Sequence, residues 1–303
     1  PYEDLLDDDG IYDKPFRFAL ALTFEGSSLH FDFTGTDKAP RGPLNLALST
    51  TFSTCYIALK HIVGDVPVNG GAFRPTRFTI EDGSVIAATY PSPVSGYLEP
   101  IGRVFDCILG TLAQAIPDRV PAPAFGTVGV VTVGGRHPDT GAYFVAVFPY
   151  PGGYGGHSAG DGLVNGTPPV SMANFMSLEA SEHRYPLRFD EFSLREDSSG
   201  PGKFRGGCGT QYRFHALGDC VFSALGDRVD HPPFGIAGGG DAAPSSVEVT
   251  VDGRTFVPPM RSQFEKQEVE PGGALYVAQP GWGRVGGPWD RARGQGERWQ
   301  RPG

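Results

Sequence analysis

Apolar and polar residues alternate along this chain in two rhythms. Phe16 to Thr23 (FRFALALT) and Leu29 to Phe33 (LHFDF) alternate about a Gly26-Ser-Ser turn. A period of two places successive side chains on opposite faces, which predicts a β-hairpin. Leu46 to Val63 (LALSTTFSTCYIALKHIV) is a longer apolar run without Gly or Pro, closed by Gly64 and carrying Lys60 and His61 in its last turn. It predicts a largely buried helix whose terminal cations complement its dipole. Arg77 to Tyr90 (RFTIEDGSVIAATY) predicts a second hairpin about Asp82-Gly83. Ile101 to Ile116 is apolar at 101, 104, 105, 108, 109, 112, 115 and 116, a helical stripe that Pro117 ends.

Val128 to Val133 and Tyr143 to Phe148 predict another hairpin, with a wide turn at His137-Pro-Asp-Thr-Gly141. A short helix is expected near Met176 to Arg184. From Leu187 onward only strands are expected: Phe189–Leu194, Thr210–His215, Cys220–Ala224, Val247–Val251, Thr255–Val257 and Ala274–Ala278. The fold class is therefore α+β, strand-dominated, with two or three helices in the first two-thirds and an all-β C-terminal part. The expected division is a mixed part over 1–195, a β-rich part over 196–290 and a mobile tail over 291–303.

Composition sharpens this picture. Hydrophobic residues make up 39% and charged residues 19% of the 303, which is a folded chain. The 44 glycines and 28 prolines punctuate the apolar runs, as tight turns between short strands require. The net charge of −9 and the lack of extended basic runs argue against a nucleic-acid partner. No apolar stretch reaches the roughly 20 residues of a membrane helix. Cys55, Cys107, Cys208 and Cys220 show no CxxC spacing and read as unpaired thiols suited to the cytoplasm. The chain opens on Pro1 and an acidic PYEDLLDDDG stretch with no signal-peptide pattern. It is expected to be a fragment, a processed piece or one half of a split subunit.

Two glycine-rich loops are the candidates for chemistry. In Pro151-Gly-Gly-Tyr-Gly-Gly-His-Ser-Ala-Gly-Asp-Gly162, glycine permits close backbone approach to a ligand, and successive N–H groups can form an anion nest. His157 and Asp161 are the candidates for proton transfer. Gly153, Gly155 and Ser158 are candidates for substrate contact. The competing reading is an irregular turn whose polar groups cap its own backbone. The second loop, Asp197 to Gly209 (DSSGPGKFRGGCG), lacks the Gly-Lys-Ser/Thr and the following helix of a phosphate-binding P-loop. It is expected to be a rigid, positive-φ turn with Arg205 bracing neighbouring carbonyls, and a Gly206→Val change would strain it if Gly206 is one of the positive-φ positions. Glu99, Arg103 and Asp106 lie three and four apart at the head of a helix, as a surface ion pair or as contacts to substrate.

Several segments together resemble the C-terminal half of the hydantoinase B / 5-oxoprolinase family. They are FDFTGTDKAPRGPLN (31–45), VNGGAFRPTR (68–77), GTLAQAIPDRVPAPAF (110–125), Gly152–Gly162, EASEHRYPL (179–187), Glu191–Gly209 and PPFGIAGGG (232–240). The resemblance implies a cytoplasmic subunit working with an ATP-binding hydantoinase A-type chain to open a hydantoin or lactam ring. Related complexes carboxylate ketones such as acetone or acetophenone, and a non-catalytic scaffold is the third alternative. The family's metal-ligand motifs belong to its N-terminal half and do not occur here. ATP and divalent metal are accordingly expected outside this chain, with an N-terminal hydantoinase B half as a further partner. The family's Asn-Thr-Pro is replaced here by Asn174-Phe-Met-Ser, which leaves room for the carboxylase branch.

Overall fold

A computed structural model of the chain describes residues 1–171, 173–281 and 285–287. Strands β1 (Tyr2–Leu6), β2 (Phe16–Glu25), β3 (Ser28–Asp32) and β4 (Thr76–Thr79) form the first sheet in that order. The β2–β3 hairpin is the one the alternation predicts, with Gly26 at φ 61° in its turn. Helices α1 (Leu48–Ile62) and α3 (Leu98–Ala113) pack on each other, and α3 lies against β1 and β2. The short α2 (Gly70–Phe73) sits between α1 and β4, with its first turn capped by the Asn69 side chain. Phe18, Phe31, Val104, Ile108 and Leu109 are buried in the core this layer encloses.

The remaining strands build a sandwich. One sheet has the order β11 (Arg254–Phe256), β10 (Ser246–Val251), β13 (Ala274–Ala278), β8 (Thr210–Ala216) and β7 (Leu187–Leu194). The other has β12 (Phe264–Val269), β9 (Cys220–Leu225), β5 (Val130–Arg136) and β6 (Tyr143–Pro149). Inward residues of both sheets, among them Val131, Phe148, Phe214, Phe222, Val249 and Leu275, interdigitate in a second core. Helix α4 (Leu178–Arg184) packs on β7. The sandwich draws strands from both sides of residue 195, so its core does not follow a division at 1–195 and 196–290. The expected tail at 291–303 lies outside the described residues.

Two local expectations are corrected, and two elements went unpredicted. The hairpin over 77–90 does not form. β4 ends at Thr79 and pairs parallel with β3, and the chain beyond Gly83 turns into the core instead. There Val85, Ile86 and Ala87 are buried, Leu46 N donates to Val85 O, and Val85 N donates to Asp37 O rather than pairing with β4. Helix α1 buries one face only, through Thr51, Thr54, Cys55 and Ala58, while Lys60 caps the carbonyls of Val63 and Gly64 as expected. β12 (FEKQEV) pairs with β9 at the sheet edge through a register shift, and its polar sequence conceals it. The opening acids, which the sequence assigned to no element, lie within the fold: β1 pairs with β2, and Asp7, Asp8 and Asp9 are all buried.

Candidate functional site

The loop over 152–166 is a tightly laced arm. Gly152 and Gly166 exchange backbone bonds at 3.0 and 2.5 Å, Tyr154 N donates to Leu163 O, and His157 and Gly160 bond each other at the tip. The arm is stitched to the DSSGPGKFRGGCG loop: Gly162 N donates to Arg205 O at 2.7 Å and Gly207 N to Tyr154 O at 2.9 Å. These approaches explain the glycines. A Cβ at Gly162 would lie 1.7 Å from Tyr154 O, and one at Gly207 would lie 1.8 Å from Leu163 O. Gly206 is not at positive φ, and in that loop the left-handed residue is Asp197 at φ 51°. Glycine is used here for contact between backbones, not for backbone handedness.

The predicted site residues take different places. His157 and Ser158 are exposed at the arm's tip, where His157 Nδ1 accepts from Ala159 N and Ser158 Oγ donates to Asp118 O at 2.6 Å. Asp161 Oδ1 accepts from Arg205 N at 2.6 Å, which closes the arm on the second loop. Gly153 and Gly155 are buried, with a Cβ at Gly155 only 2.0 Å from Ala122 O, so they pack the arm against protein. Arg205 Nε, which was expected to help brace neighbouring carbonyls, is buried without a hydrogen-bond partner.

Glu99 and Arg103 are not on the surface at all; both are fully buried. Arg103 meets Asp4 at 3.1 Å, Asp227 at 3.4 Å and Asp106 at 3.7 Å, and it also donates to Gly126 O. Arg228 binds both oxygens of Asp4, at 3.0 and 2.8 Å, and Asp106 at 2.5 Å. Burial works against the Arg103 charge, but Asp4, Asp227, Asp106 and Glu99 outweigh it and raise its pKa. Burial likewise raises the Asp4, Asp106 and Asp227 carboxyls, against the pull of Arg103. Asp7 accepts backbone N–H bonds from Val229, Asp230 and His231. The cluster therefore joins β1, α3 and the segment after β9.

Glu99 stands apart from these pairs. Its Oε1 accepts from Thr127 Oγ1 and Val128 N, each at 3.0 Å, while Oε2 has no partner. Burial pushes its carboxyl up to about 7 despite Arg103. Just beyond Val128 lies a cavity of about 440 Å³ at the foot of the glycine arm. Leu98, Val128, Tyr150 and Phe175 give it an apolar floor, and Asn165, Thr167, Ser171 and Asn174 a polar rim. Tyr150 is buried with its hydroxyl unpartnered, and Phe175 stacks on the sandwich core 5.6 Å from Phe148 and 4.9 Å from Phe192. None of these residues stood out in the sequence except Asn174 and Phe175, at the departure from the family pattern. A larger groove of about 530 Å³ at Asp219, Asp252, Glu268 and Glu270 is lined by acids at strand ends. An apolar groove of about 490 Å³ runs over Tyr56, Ile57 and Phe73 of the helical layer.

Among the described residues no three His, Cys, Asp or Glu side chains are placed to hold a metal ion, and no helix is long and apolar enough to cross a membrane. The four cysteines are unpaired.

Residues 1–288 match the family model described as hydantoinase B/oxoprolinase. The chain is 28% identical to the B-type component of a putative D-/L-hydantoinase from a Pseudomonas species, over 94% of this chain and 49% of that one. Its fold is that of an ATP-dependent caprolactamase from Pseudomonas jessenii, with TM-score 0.80 and 23% identity over 93% of this chain and 49% of the other. An acetone carboxylase shares the fold at TM-score 0.78 and 16% identity, over 96% and 46% of the two chains. The chain spans about half the length of the curated relatives it matches. The segments that resembled the family thus lie in one continuous match, and the chain belongs to the hydantoinase B/oxoprolinase family.

Proposed function

We propose that the chain is part of a subunit in an ATP-dependent complex that opens a cyclic amide, a hydantoin or a lactam. The observation that carries this reading is the family match over residues 1–288, joined to a cavity walled by the glycine arm that the match includes. The names of the Pseudomonas hydantoinase component and of the ATP-dependent caprolactamase point the same way.

The residues present do not fit a nucleotide or a divalent metal by themselves. The acids of the buried cluster are taken up by Arg103, Arg228 and backbone N–H groups. The arm's glycines are filled by neighbouring backbone, with no open cradle at Gly155 or Gly162. ATP and metal therefore fall, in this reading, to a hydantoinase A-type partner and to a hydantoinase B half beyond this chain. The unpaired cysteines favour a cytoplasmic setting. His157, exposed at the arm's tip, is in this reading a polar contact to substrate, and Asp161 holds the arm that presents it. Glu99 supports the cavity wall through Val128 N rather than touching substrate, and Arg103 holds the fold.

A second reading, ATP-dependent ketone carboxylation, is favoured by the acetone carboxylase fold and by Asn174 and Phe175 lining the cavity where the family pattern changes. Both readings meet one experiment. The chain is co-expressed with a hydantoinase A-type chain and the complementary hydantoinase B half, then supplied with ATP and a panel of hydantoins and lactams. Ring opening coupled to ADP formation is expected. ADP formation with labelled bicarbonate appearing in a ketone-derived acid, and no ring opening, would establish the carboxylase reading instead.

A further inference from the structure

The two sheets of the sandwich have unlike outer faces. On the five-stranded sheet one outward row runs Glu248, Tyr276, Arg213 and Glu191, across β10, β13, β8 and β7. Arg213 lies over the Tyr276 ring at 4.7 Å, and nearby His215 meets Asp190 at 3.2 Å. That is the pattern of an antiparallel sheet with one face in water. On the four-stranded sheet the corresponding row is Val145, Gly134 and Val221, across β6, β5 and β9. Along β6 the outward side chains Tyr143, Val145 and Val147 are 71, 47 and 57% exposed. Over β9, β5 and β6 the outward positions carry one charge, Arg136 at the hairpin end of β5. Single exposed apolar side chains need no explanation, but three in succession on one strand, backed by uncharged neighbours, form a patch. β6 is also an edge strand, paired only with β5 among the described residues, and it carries none of the charges that usually guard such an edge. The patch leads to the cavity at the foot of the glycine arm: Pro149 and Val130, paired in its last row, both line that cavity.

We infer that the outer face of β6 and β5 is the seat of the hydantoinase B half that lies outside this chain, and that this half closes the cavity from the Val130 side. The match covers 49% of the Pseudomonas hydantoinase component and 49% of the caprolactamase chain, so each carries about as much chain again beyond it. That length must pack against something, and parts of one subunit meet through faces as apolar as a core. A second copy of this chain fits the patch less well, since each copy brings a net charge of −9. The inference rests on the reading above that a hydantoinase B half completes the subunit, and it gives that half a place.

The test is thiol labelling of Val145→Cys, with Arg188→Cys on the exposed, polar side of β7 as control. Cys55, Cys107 and Cys220 are buried, and peptide mass spectrometry separates the new thiol from half-buried Cys208. The probe is the half of the Pseudomonas hydantoinase component that lies outside its match to this chain. With that half bound, Val145→Cys should react with a maleimide about tenfold or more slowly, and Arg188→Cys at its former rate. Val145→Glu should weaken the association about tenfold or more, and Val145→Thr by less than about threefold. Association that leaves Val145→Cys as reactive as before, or no association at all, would overturn the inference. So would protection that grows with the concentration of this chain alone, which gives the face to a second copy, or protection by the hydantoinase A-type chain alone. A complex that opens rings with this face unprotected sinks the inference and leaves the function standing. A protected face in an assembled complex that opens no ring does the reverse.

Discussion

Replacing Glu99 with Gln isolates one titration inside the core. The side chain is fully buried, and its Oε1 accepts two bonds that a Gln carbonyl also accepts. Only the proton on the orphaned Oε2 is lost as a variable. Burial raises the carboxyl from 4.5 unfolded to about 7 folded. An acid whose folded pKa is raised binds more protons in the native state, so stability falls as pH rises between the two values. The window is about pH 4.5 to 7, and at 1.36 kcal/mol per unit the loss across it is about 3 kcal/mol. Below it both states are protonated and the two proteins differ by a constant. Urea unfolding of native and Glu99→Gln chains at pH 5, 6, 7 and 8 reads the difference directly. The Gln variant should gain on the native sequence by about 2–3 kcal/mol between pH 5 and pH 8. A difference constant to within about 0.5 kcal/mol over that range would refute the reasoning and mean that Glu99 ionises freely where it sits.

Arg228→Met leaves Asp4 and Asp106 short of a partner in the core and should cost about 3–5 kcal/mol in urea unfolding at pH 7. Combined with Asp4→Asn, the loss should be clearly smaller than the sum of the two single losses, since the pair shares one interaction. Gly207→Ala drives a methyl into Leu163 O and should lower stability by about 3 kcal/mol or more, read as a fall in Tm. Asp161→Ala should loosen the arm and raise KM for the amide substrate of the assembled complex, while Asp161→Asn, which keeps the acceptor for Arg205 N, should restore it. Unchanged KM in the Ala variant would remove the arm from the site.

Much of the fold was legible because it is local. The stripe at 101, 104, 105, 108, 109 and 112 predicts α3 since a helix buries neighbours three and four apart, and the patterns at 128–133 and 143–148 predict β5 and β6 for the same kind of reason. The family was legible too, because its motifs are short and ordered. What the chain could not show was depth. Glu99, Arg103 and Asp106 have the spacing of a surface pair, and their burial is decided by partners far away in sequence. Asp4 is 99 positions from Arg103, and Arg228 is 122 from Asp106. The burial of the acidic run at 7–9 is hidden for the same reason, since the N–H groups that satisfy Asp7 lie more than 220 positions on. The glycines of the second loop were read as turn formers. Their true constraint is a carbonyl on another loop, which no local rule contains.

The buried cluster and the cavity are parts of one arrangement. Replacing buried ion pairs by apolar residues is often neutral for stability, so stability alone does not explain five charged side chains at one point. Their effect is positional. Asp4 fixes β1, Arg103 and Asp106 fix α3, and Asp227 and Arg228 fix the segment after β9, each by bonds that a slipped register would break. Thr127 then accepts from Asp227 N at 3.1 Å and donates to Glu99 Oε1, and Glu99 in turn holds Val128 N at the cavity wall. The floor of the cavity is thereby set by contacts that span nearly the whole chain, while its rim takes Asn165 from the end of the arm and Thr167, Ser171 and Asn174 from the segment that follows. A wall fixed from behind and a rim carried on separate loops is an arrangement in which rim substitutions at exposed Asn165 or Asn174 can change the cavity's mouth without disturbing the core.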